Sequence, residues 1–355
     1  MKITLFGSDL SSNQTGRCHI FSKILEKYHD VEIIGFSSSD KLWRPIRNEN
    51  LNIKNYGKIS FFNIRIISEK IINDFDSDLL IISNRLLSNY WIGNQIHKKT
   101  KVPVILDIAD IDIAEFMDER LFNLYLKDKF KFSTIMLVRF FTKIFKKGII
   151  DFYRNFTKLD NLFYKLYCDR HSEYFENITV NSNTLKRIYG GEVIRDGQDI
   201  KRINYDYKSG LKIRKVLGIS KSDFVITFLG TPHLHKGFLE VANAISLLNI
   251  ENIKYLFIGI SKRNPYYREM KDFLGEKLIS LEGVAFEDIG KYYSATDLVV
   301  LNHRSHSYGL GQIPAKLYDA IATKTPLICS SFADREDVLR GNYIDLKNNI
   351  VSLTF

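Results

Sequence analysis

Short apolar runs alternate with amphipathic stretches along most of this chain. In the first half, the runs KITLFG, VEIIGFS, LLIISN and VPVIL predict buried strands, and TGRCHIFSKILEKY, SEKIINDF and NYWIGNQIHKKT predict the helices between them. The second half repeats this scheme with the runs VITFLG, KYLFIG, ISLEGV, LVVLNH and PLICSS. Continuous apolar strands separated by helices are typical of parallel sheets covered on both faces. The pattern therefore predicts an α/β protein with two doubly wound parallel-sheet domains.

A polar stretch at residues 199–210, DIKRINYDYKSG, separates the two halves. We expect an N-terminal domain over residues 1–205 and a C-terminal domain over residues 206–355. Before NITVNS, the first of these domains carries an additional helical segment at about residues 116–175.

A basic stretch within this segment, residues 127–147, carries seven lysines and arginines and a single acid, Asp128. As one amphipathic helix, it places basic residues on one face opposite aliphatic and aromatic ones. The basic residues of that face are Arg139, Lys143, Lys146 and Lys147. The stretch is too charged and too short to span a bilayer, but it can lie on an anionic membrane surface. The alternative is a helix packed on its own domain with a solvated basic face. No recognition motif for nucleic acid accompanies it, so we expect no nucleic-acid partner.

Composition adds limits on location and partners. The chain has 355 residues and a net charge of +10, which favours an anionic partner. The three cysteines, Cys18, Cys168 and Cys329, lack metal or disulfide spacing, and the N-terminal apolar run is too short for a signal peptide. We therefore expect a cytoplasmic protein that lies peripherally on the inner face of the membrane.

Two loops after predicted strands of the second half contain candidate anion-binding features. Lys236 in TPHLHKGF precedes a helix, and residues 309–331, GLGQIPAKLYDAIATKTPLICSS, form a glycine-rich turn that also leads into a helix. Helix N-termini present unpaired N–H groups and a positive dipole end, and parallel sheets bind ligands beyond the carboxyl ends of their strands. These loops predict a diphosphate site, with Asp319 able to accept hydrogen bonds from a ribose diol.

The ordered set GTPHLHKG, LFIGI, LEGVAFEDIGKYYSATDLVVL and GLGQIPAKLYDAIATKTPLICSS resembles the C-terminal half of retaining GT-B glycosyltransferases of the family 4 type. MKITLFG, KVPVILDIAD and TVNSNTLKRIYGGEVIRDGQD are similar to the acceptor half. The resemblance implies two Rossmann-like domains facing a cleft. It also implies transfer of a sugar, with retention, from a nucleotide sugar to a saccharide or lipid-linked saccharide. Cell-surface polysaccharide or glycolipid biosynthesis is the expected pathway. The nucleotide sugar is a substrate, and neither a cofactor nor a metal is expected. Relatives usually continue into helices beyond the equivalent of REDVLRG, so either the tail is reduced or the sequence is incomplete.

The resemblance also implies roles for individual residues. The family's phosphate-binding glycine and lysine fall on Gly230 and Lys236, its adjacent arginine falls on Thr231, and its ribose-binding glutamate falls on Asp319. A second family glutamate falls on Gly311, which leaves the sugar to backbone amides or neighbouring side chains. The expected donor contacts are Gly16, Arg17, Gly230, Thr231, Val284, Ala285, Gly309, Gly311, Gln312 and Asp319.

The expected chemistry needs few protein groups. Lys236 would stabilise the negative charge that develops on the departing diphosphate. Asp107 and Asp110 follow the strand VPVIL and could orient the acceptor, or serve only as cap or turn residues. Asp110 and Asp112 also spell a D-x-D motif, which metal-dependent transferases of another fold use, although its flanking pattern differs. The donor-side histidines His233, His235, His303 and His306 are better suited to sugar or phosphate contacts than to zinc.

Two other functions remain compatible with the sequence. One is a nucleotide-sugar epimerase of the same fold. The other is a non-catalytic relative that binds a nucleotide sugar, which the changes at Thr231 and Gly311 would favour.

Overall fold

A computed structural model describes residues 1–145, 153, 156–303 and 313–346. Contacts between residues divide the chain into two compact units. The N-terminal unit contains Met1–Trp43 and Glu49–Arg195, and the C-terminal unit contains Arg44–Asn48 and Asp196–Phe355.

The N-terminal unit is built on a parallel sheet. Its strands are β1 (Lys2–Asp9), β2 (Asp30–Phe36), β3 (Ile53–Asn55), β4 (Leu79–Ser83), β5 (Val104–Ile108), β6 (Asn177–Val180) and β7 (Glu192–Val193). They lie in the order β3-β2-β1-β4-β5-β6-β7. The strand order reverses between β1 and β4, so the carboxyl ends of these strands form the switch point at which doubly wound sheets bind ligands.

Helices cover this sheet where the hydrophobic pattern predicts them. The helices are α1 (Gly16–Leu25), α2 (Ile64–Asp74), α3 (Leu87–Thr100), α4 (Glu119–Lys127), α5 (Lys129–Phe145), α6 (Leu162–Arg170) and α7 (Asn183–Tyr189). Apolar side chains of β1, β2 and α1 form one core cluster of the unit. The edge strand β3 was not predicted, since three partly exposed residues give no clear apolar alternation.

The basic stretch 127–147 is not one continuous helix. The structure breaks it at Asp128, whose backbone leaves the helical region with φ −154° and ψ 87°. The Asp128 carboxylate accepts a hydrogen bond of 2.9 Å from the Lys131 amide, so it caps the first turn of α5. The prediction of a helix beginning at Lys127 was wrong because this acid acts as a helix start signal.

The described part of α5 packs against α4 and α6. Phe132 and Met136, one turn apart, are buried, whereas Val138 and Arg139 are exposed. Lys146 and Lys147 lie outside the described residues, and so does the Lys143 side chain. Within the described ranges, no helix is both long enough and apolar enough to cross a membrane.

The C-terminal unit has a second parallel sheet. Its strands are β8 (Phe224–Leu229), β9 (Ile253–Ile258), β10 (Leu278–Leu281), β11 (Leu298–Leu301), β12 (Leu327–Cys329) and β13 (Ile344–Asp345). The order β10-β9-β8-β11-β12-β13 places its switch point between β8 and β11. Its helices are α8 (Tyr207–Val216), α9 (Phe238–Leu247), α10 (Pro265–Leu274), α11 (Ile289–Tyr293), α12 (Ala315–Ala322) and α13 (Arg335–Leu339). One hydrophobic cluster lies under α9 and α10, and another lies under α11 and α12. The sequence therefore predicted the two sheets correctly.

The division between the units follows side-chain packing rather than the polar stretch alone. Ile203 is 1% exposed and belongs to a core cluster of the C-terminal unit. Residues 196–205 therefore group with the C-terminal unit. The division between the units lies ten residues before the predicted boundary at 205/206.

Candidate active site

The candidate site lies at the switch point of the second sheet, where the chain leaves β8 and β11. The loop after β8 runs through Gly230, Lys236 and Gly237 into α9, and β11 is followed by Asn302 and His303. Helix α12 passes alongside and contributes Lys316 and Asp319, one turn apart. Parallel topology brings these groups from three separate chain segments to one edge of the sheet.

Gly237 fixes the path of the loop after β8. Its φ is +63°, and a Cβ at this position would lie 1.9 Å from the Asn302 carbonyl oxygen. Only glycine combines the left-handed conformation with so close a backbone approach. The neighbouring Lys236 is thereby held at the edge of the sheet, where its Nζ donates a 3.1 Å hydrogen bond to the Thr231 carbonyl.

Lys316 is a site residue that the sequence reasoning missed. Its side chain is 9% exposed, and Nζ finds no hydrogen-bond partner among the described residues. The ammonium lies 3.8 Å from the centre of the Phe228 ring and next to Gly230. Burial, with a smaller contribution from Lys236, lowers the pKa of Lys316 well below its usual range. A signal was available, because a lysine three residues before Asp319 must share a helix face with it.

His303 adds a second buried group without a partner. Both ring nitrogens lack a hydrogen-bond partner in the described part of the chain. Burial and the neighbouring Lys316, His235 and Lys236 lower the pKa of His303 to about 3, so the imidazole is neutral at physiological pH. The rings of His235 and His303 are 6.2 Å apart between centroids. Burial followed by Lys236 and Lys316 also lowers the pKa of His233. The protonated forms of these lysines and histidines repel one another, so a bound anion would stabilise this part of the site.

Asp319 lies on the buried face of α12 and accepts a hydrogen bond from the Gln198 side chain. Burial raises the pKa of Asp319 to about 7, although Gln198 and Lys316 act in the opposite direction. The predicted ribose-binding acid is therefore a half-ionised carboxyl group near neutral pH. The sequence assigns Gln198 no role of its own, because its hydrogen bond to Asp319 depends on tertiary packing.

The remaining predicted donor contacts of the C-terminal unit fall into two groups. Val284 and Ala285 follow β10 and are partly buried, directly after Gly283, which has φ +153°. Thr231 is exposed beside Gly230. Gly309, Gly311, Gln312 and His306 lie outside the described residues.

In the N-terminal unit, Asp107 and Arg17 form a buried ion pair. Asp107 is fully buried and accepts hydrogen bonds from Arg17 Nε at 2.5 Å, Arg17 Nη2 at 2.7 Å and Thr179 Oγ1 at 2.7 Å. Arg17 also donates to the Ile194 carbonyl at 2.8 Å. Both carboxylate oxygens are occupied, so this geometry favours a role for Asp107 in joining α1, β5 and β6 over direct acceptor contact. Gly16 is the first residue of α1.

Asp110 and Asp112 meet a different arginine. Arg85 donates to the Asp110 carbonyl at 3.0 Å, and its Nε lies 3.3 Å from Asp112 Oδ2. Arg85 also pairs with Asp169 at 2.8 Å. Of the two D-x-D carboxylates, that of Asp112 is therefore already paired with the Arg85 guanidinium.

The C-terminal site is suited to binding a diphosphate ester. Lys236 supplies positive charge, and a bound anion would favour the protonated form of the buried Lys316. Helix α9 begins directly after the glycine loop. Such preorganised charge stabilises a departing phosphate more strongly than water does, because burial lowers the local dielectric.

Residues 211–344, from α8 to β13, match the family model of glycosyl transferases group 1. No protein of curated function matches the chain in sequence.

Several solved structures share the fold. Anabaena HepE in complex with UDP-glucose is 14% identical, with a TM-score of 0.71 over 98% of this chain and 85% of that chain. WaaG, a glycosyltransferase involved in lipopolysaccharide biosynthesis, is 14% identical, with a TM-score of 0.64 over 99% and 88%. Sucrose-phosphate synthase from Thermosynechococcus elongatus is 12% identical, with a TM-score of 0.67 over 99% and 88%.

Proposed function

We propose that the chain is a glycosyltransferase of the GT-B fold, with a group 1 domain at residues 211–344, and that it transfers a sugar, with retention, from a nucleotide sugar to a saccharide or lipid-linked saccharide. The observation that carries the donor assignment is the convergence of Lys236, Lys316 and Asp319 at the switch point of the second sheet. This arrangement provides positive charge for a diphosphate and a carboxyl group for a ribose.

Lys316 bears on the choice between an enzyme and a non-catalytic relative. The arginine expected beside Gly230 is replaced by Thr231, which removes one positive charge from the loop. Lys316 reaches the same glycine from α12, because Nζ would lie 3.3 Å from a Cβ at position 230. A second amine, which a bound diphosphate would keep protonated, is therefore supplied from another element, and the change at Thr231 does not by itself favour loss of catalysis.

The proposed reaction uses these charges for the leaving group. As the bond between the anomeric carbon and the phosphate oxygen breaks, Lys236 and Lys316 stabilise the negative charge on the diphosphate. The acceptor hydroxyl forms the new bond from the same side and passes its proton to a phosphate oxygen. No protein base and no metal ion is needed in this scheme.

Uridine diphosphate sugars are the first donors to test, because HepE shares this fold and binds UDP-glucose. The assay follows release of UDP from a panel of labelled UDP-sugars, with and without a bacterial lipid extract as acceptor source. Transfer gives acceptor-dependent UDP release and a labelled saccharide. An epimerase would give a changed UDP-sugar without acceptor-dependent release, and a non-catalytic binder would retain the donor unchanged.

Membrane attachment is part of the same proposal. A lipid-linked acceptor requires the protein to reach the inner face of the membrane from the cytoplasm. The basic segment supports this, since Val138 and Arg139 are exposed side by side on α5. Co-sedimentation with anionic vesicles at low and high salt tests the attachment, using glutamate at Arg139, Lys143, Lys146 and Lys147. An unchanged amount of pelleted protein would remove the segment from the membrane contact.

A further inference from the structure

Three glycines line the carboxyl ends of three neighbouring strands in the C-terminal unit. Gly230 follows β8, Gly259 follows β9, and Gly283 lies two residues after β10. Their φ angles are +136°, +118° and +153°, in a region that residues with a Cβ rarely adopt. Because β10, β9 and β8 are adjacent in the sheet, these positions form a strip without side chains along its ligand-binding edge. We call this set the glycine strip.

Backbone hydrogen bonds hold the glycine strip together. The Gly230 amide donates to the Ile258 carbonyl at 2.7 Å, and the Gly259 amide donates to the Leu281 carbonyl at 2.8 Å. A Cβ at Gly259 would lie 2.5 Å from the Gly230 carbonyl oxygen, so a side chain at this position would displace the backbone. The strip is therefore a surface on which a ligand can approach the backbone closely.

A basic side chain lies at each end of the glycine strip. At the β8 end, Lys316 Nζ would lie 3.3 Å from a Cβ at Gly230. At the β10 end, the Arg44 side chain crosses Gly283, because a Cβ there would lie 3.5 Å from Arg44 Cδ and 3.8 Å from Nη1. The strip therefore suits an elongated ligand that accepts hydrogen bonds at both ends. Lys316 and Lys236 mark the end for the diphosphate.

Arg44 reaches the C-terminal unit from the first half of the sequence. Residues Arg44–Asn48 group with this unit, whereas the residues on both sides of them group with the N-terminal one. Ile46 is 1% exposed, and the turn Arg44–Ile46 packs against the turn Phe286–Asp288. The backbone that carries Arg44 is thereby fixed beside the end of β10.

The Arg44 guanidinium is available to a ligand. Its side chain is exposed and forms no hydrogen bond or ion pair with the described residues. The nearby segment 282–288 carries three acids, Glu282, Glu287 and Asp288, of which Asp288 is paired with Lys291 at 2.6 Å. These acids would repel a second phosphate group from this end of the glycine strip. Arg44 is therefore suited to a neutral group that accepts hydrogen bonds.

The position of α12 decides which half of a donor lies at the Arg44 end. This helix carries Asp319, the proposed ribose contact, and packs against α11, where the Tyr293 hydroxyl donates to the Lys316 carbonyl at 3.4 Å. Helix α11 begins directly after the turn against which Arg44 packs. The ribose and Arg44 therefore lie on the same side of the diphosphate, and the group beyond the ribose is the nucleobase.

The apolar surroundings of Gly283 suit a nucleobase. Val284 and Ala285, two of the expected donor contacts, directly follow this glycine. Val284 packs in the same two hydrophobic clusters as Leu229, the last residue of β8. Arginine donates hydrogen bonds and accepts none, so its partner on a base is an acceptor such as a ring carbonyl. Uracil, thymine and guanine carry such a carbonyl, whereas adenine has none.

We propose that Arg44 contacts the nucleobase of the donor and selects bases with a carbonyl group over adenine. The base lies against the glycine strip at Gly283, and a guanidinium N–H donates to its carbonyl oxygen. This inference rests on the proposed donor site and adds a specificity-determining residue to it. Uridine, thymidine and guanosine diphosphate sugars are accordingly the donor classes that fit.

The test compares UDP, ADP and inorganic pyrophosphate by isothermal titration calorimetry on the full chain. The wild-type protein should bind UDP about tenfold more tightly than ADP, because only uracil accepts the charged hydrogen bond at a carbonyl. Arg44→Ala should lose this preference and keep its affinity for ADP and pyrophosphate. Arg268→Ala is the matched control, since Arg268 is exposed on α10 of the same unit, and it should keep the preference for UDP.

Three results would overturn the role of Arg44 in base selection. They are equal affinity of the wild-type protein for UDP and ADP, an unchanged preference in Arg44→Ala, and a parallel loss of UDP, ADP and pyrophosphate binding in that variant. The last result would show that Arg44 acts only as a charge on the diphosphate. Binding of none of the three probes to the wild-type protein would instead contradict the donor site itself, so the two failures can be told apart.

Discussion

The ammonium of Lys316 would lie 3.3 Å from a Cβ atom on Gly230, and it finds no hydrogen-bond acceptor in the described chain. A glycine at this position leaves room for the lysine to reach the end of β8. A buried amine without a hydrogen-bond partner destabilises the folded protein, and a bound anion would favour its protonated form, so its presence at the edge of a sheet indicates a role in binding an anion. Stability and function are therefore expected to respond to Lys316 in opposite directions.

Replacing Lys316 by Met should raise thermal stability and lower turnover. Methionine keeps a flexible side chain of similar length and removes the buried amine, which relieves a desolvation cost of about 1–3 kcal/mol. The melting temperature should rise by about 2–4 °C for each kcal/mol. Turnover should fall, because the loss of one preorganised charge raises the activation free energy by about 2–4 kcal/mol. Calorimetry and donor turnover measured on the same preparation provide the check. A lower melting temperature would show that the amine has a partner in the folded protein.

Lys236 should contribute to turnover without an effect on stability. Its hydrogen bond to Thr231 lies at the surface, and Lys236→Ala removes no core packing. We expect the activation free energy to rise by about 2–4 kcal/mol, the range for one charge contact in a transition state. Lys215→Ala on the exposed side of α8 is the control, with wild-type rates expected. Wild-type turnover in a folded Lys236→Ala variant would remove this residue from the site.

Gly237 and Gly218 allow a comparison between backbone strain and steric exclusion. Both have positive φ, +63° and +69°, but a Cβ at Gly218 would meet nothing within 4 Å. Gly218→Ala should therefore cost about 1 kcal/mol of unfolding free energy, from the conformation alone. Gly237→Ala should cost several times more, because the Asn302 carbonyl must move. Chemical denaturation of the two variants measures both costs. Similar midpoints would show that the loop after β8 can shift away from β11.

The fold could be predicted from sequence because the strands of both sheets are continuous apolar runs, which parallel sheets require. The pattern did not predict two elements that are short or lie in polar sequence. Strand β3 has three residues, and α8 begins inside a polar stretch that was interpreted as a boundary. These elements are stabilised by tertiary contacts, which local pattern does not report.

The candidate site was predicted only in part, for a similar reason. Glycines, Lys236 and Asp319 stand in local motifs, and the structure brings Lys236 and Asp319 to the same edge of the second sheet. The role of Gln198 could not be predicted, because it follows from a contact with the distant Asp319. Lys316 could have been found from its spacing to Asp319 on one helix face, but its burial could not. The pair of Arg17 and Asp107 shows the opposite case. Asp107 lies near the end of β5 and Arg17 lies in the first turn of α1, and the two side chains pair with each other inside the N-terminal unit.

Activity should survive removal of divalent metal ions. In the proposed mechanism the leaving diphosphate is neutralised by Lys236 and Lys316, and Asp112 is already paired with Arg85. Donor turnover is measured after incubation with a chelator and again after addition of manganese. Full loss in chelator with recovery in manganese would reinstate the D-x-D motif at Asp110 and Asp112 as a metal site.

Asp319 should make donor binding and protein stability depend on pH with opposite signs. Burial raises the pKa of its carboxyl group from 3.8 to about 7, with Lys316, Gln198 and Tyr293 as its polar neighbours. A ribose diol donates to the ionised form, so UDP-glucose should bind about tenfold more tightly at pH 8 than at pH 6, as the ionised fraction rises from about a tenth to about nine-tenths. UDP-glucose is the suitable probe because its diphosphate diester does not titrate in this range.

Protein stability, unlike donor binding, should decrease as the pH rises towards the pKa of Asp319 in the folded protein. Between pH 3.8 and about 7 the folded protein holds a proton on Asp319 that the unfolded chain has released, so the free energy of unfolding falls as the pH rises. Asp319→Asn should remove both slopes, since the amide does not ionise. Calorimetric titration and denaturation at matched pH values measure the two effects on one preparation. A variant that keeps the wild-type binding profile would place the titrating group elsewhere, with His233 the next candidate.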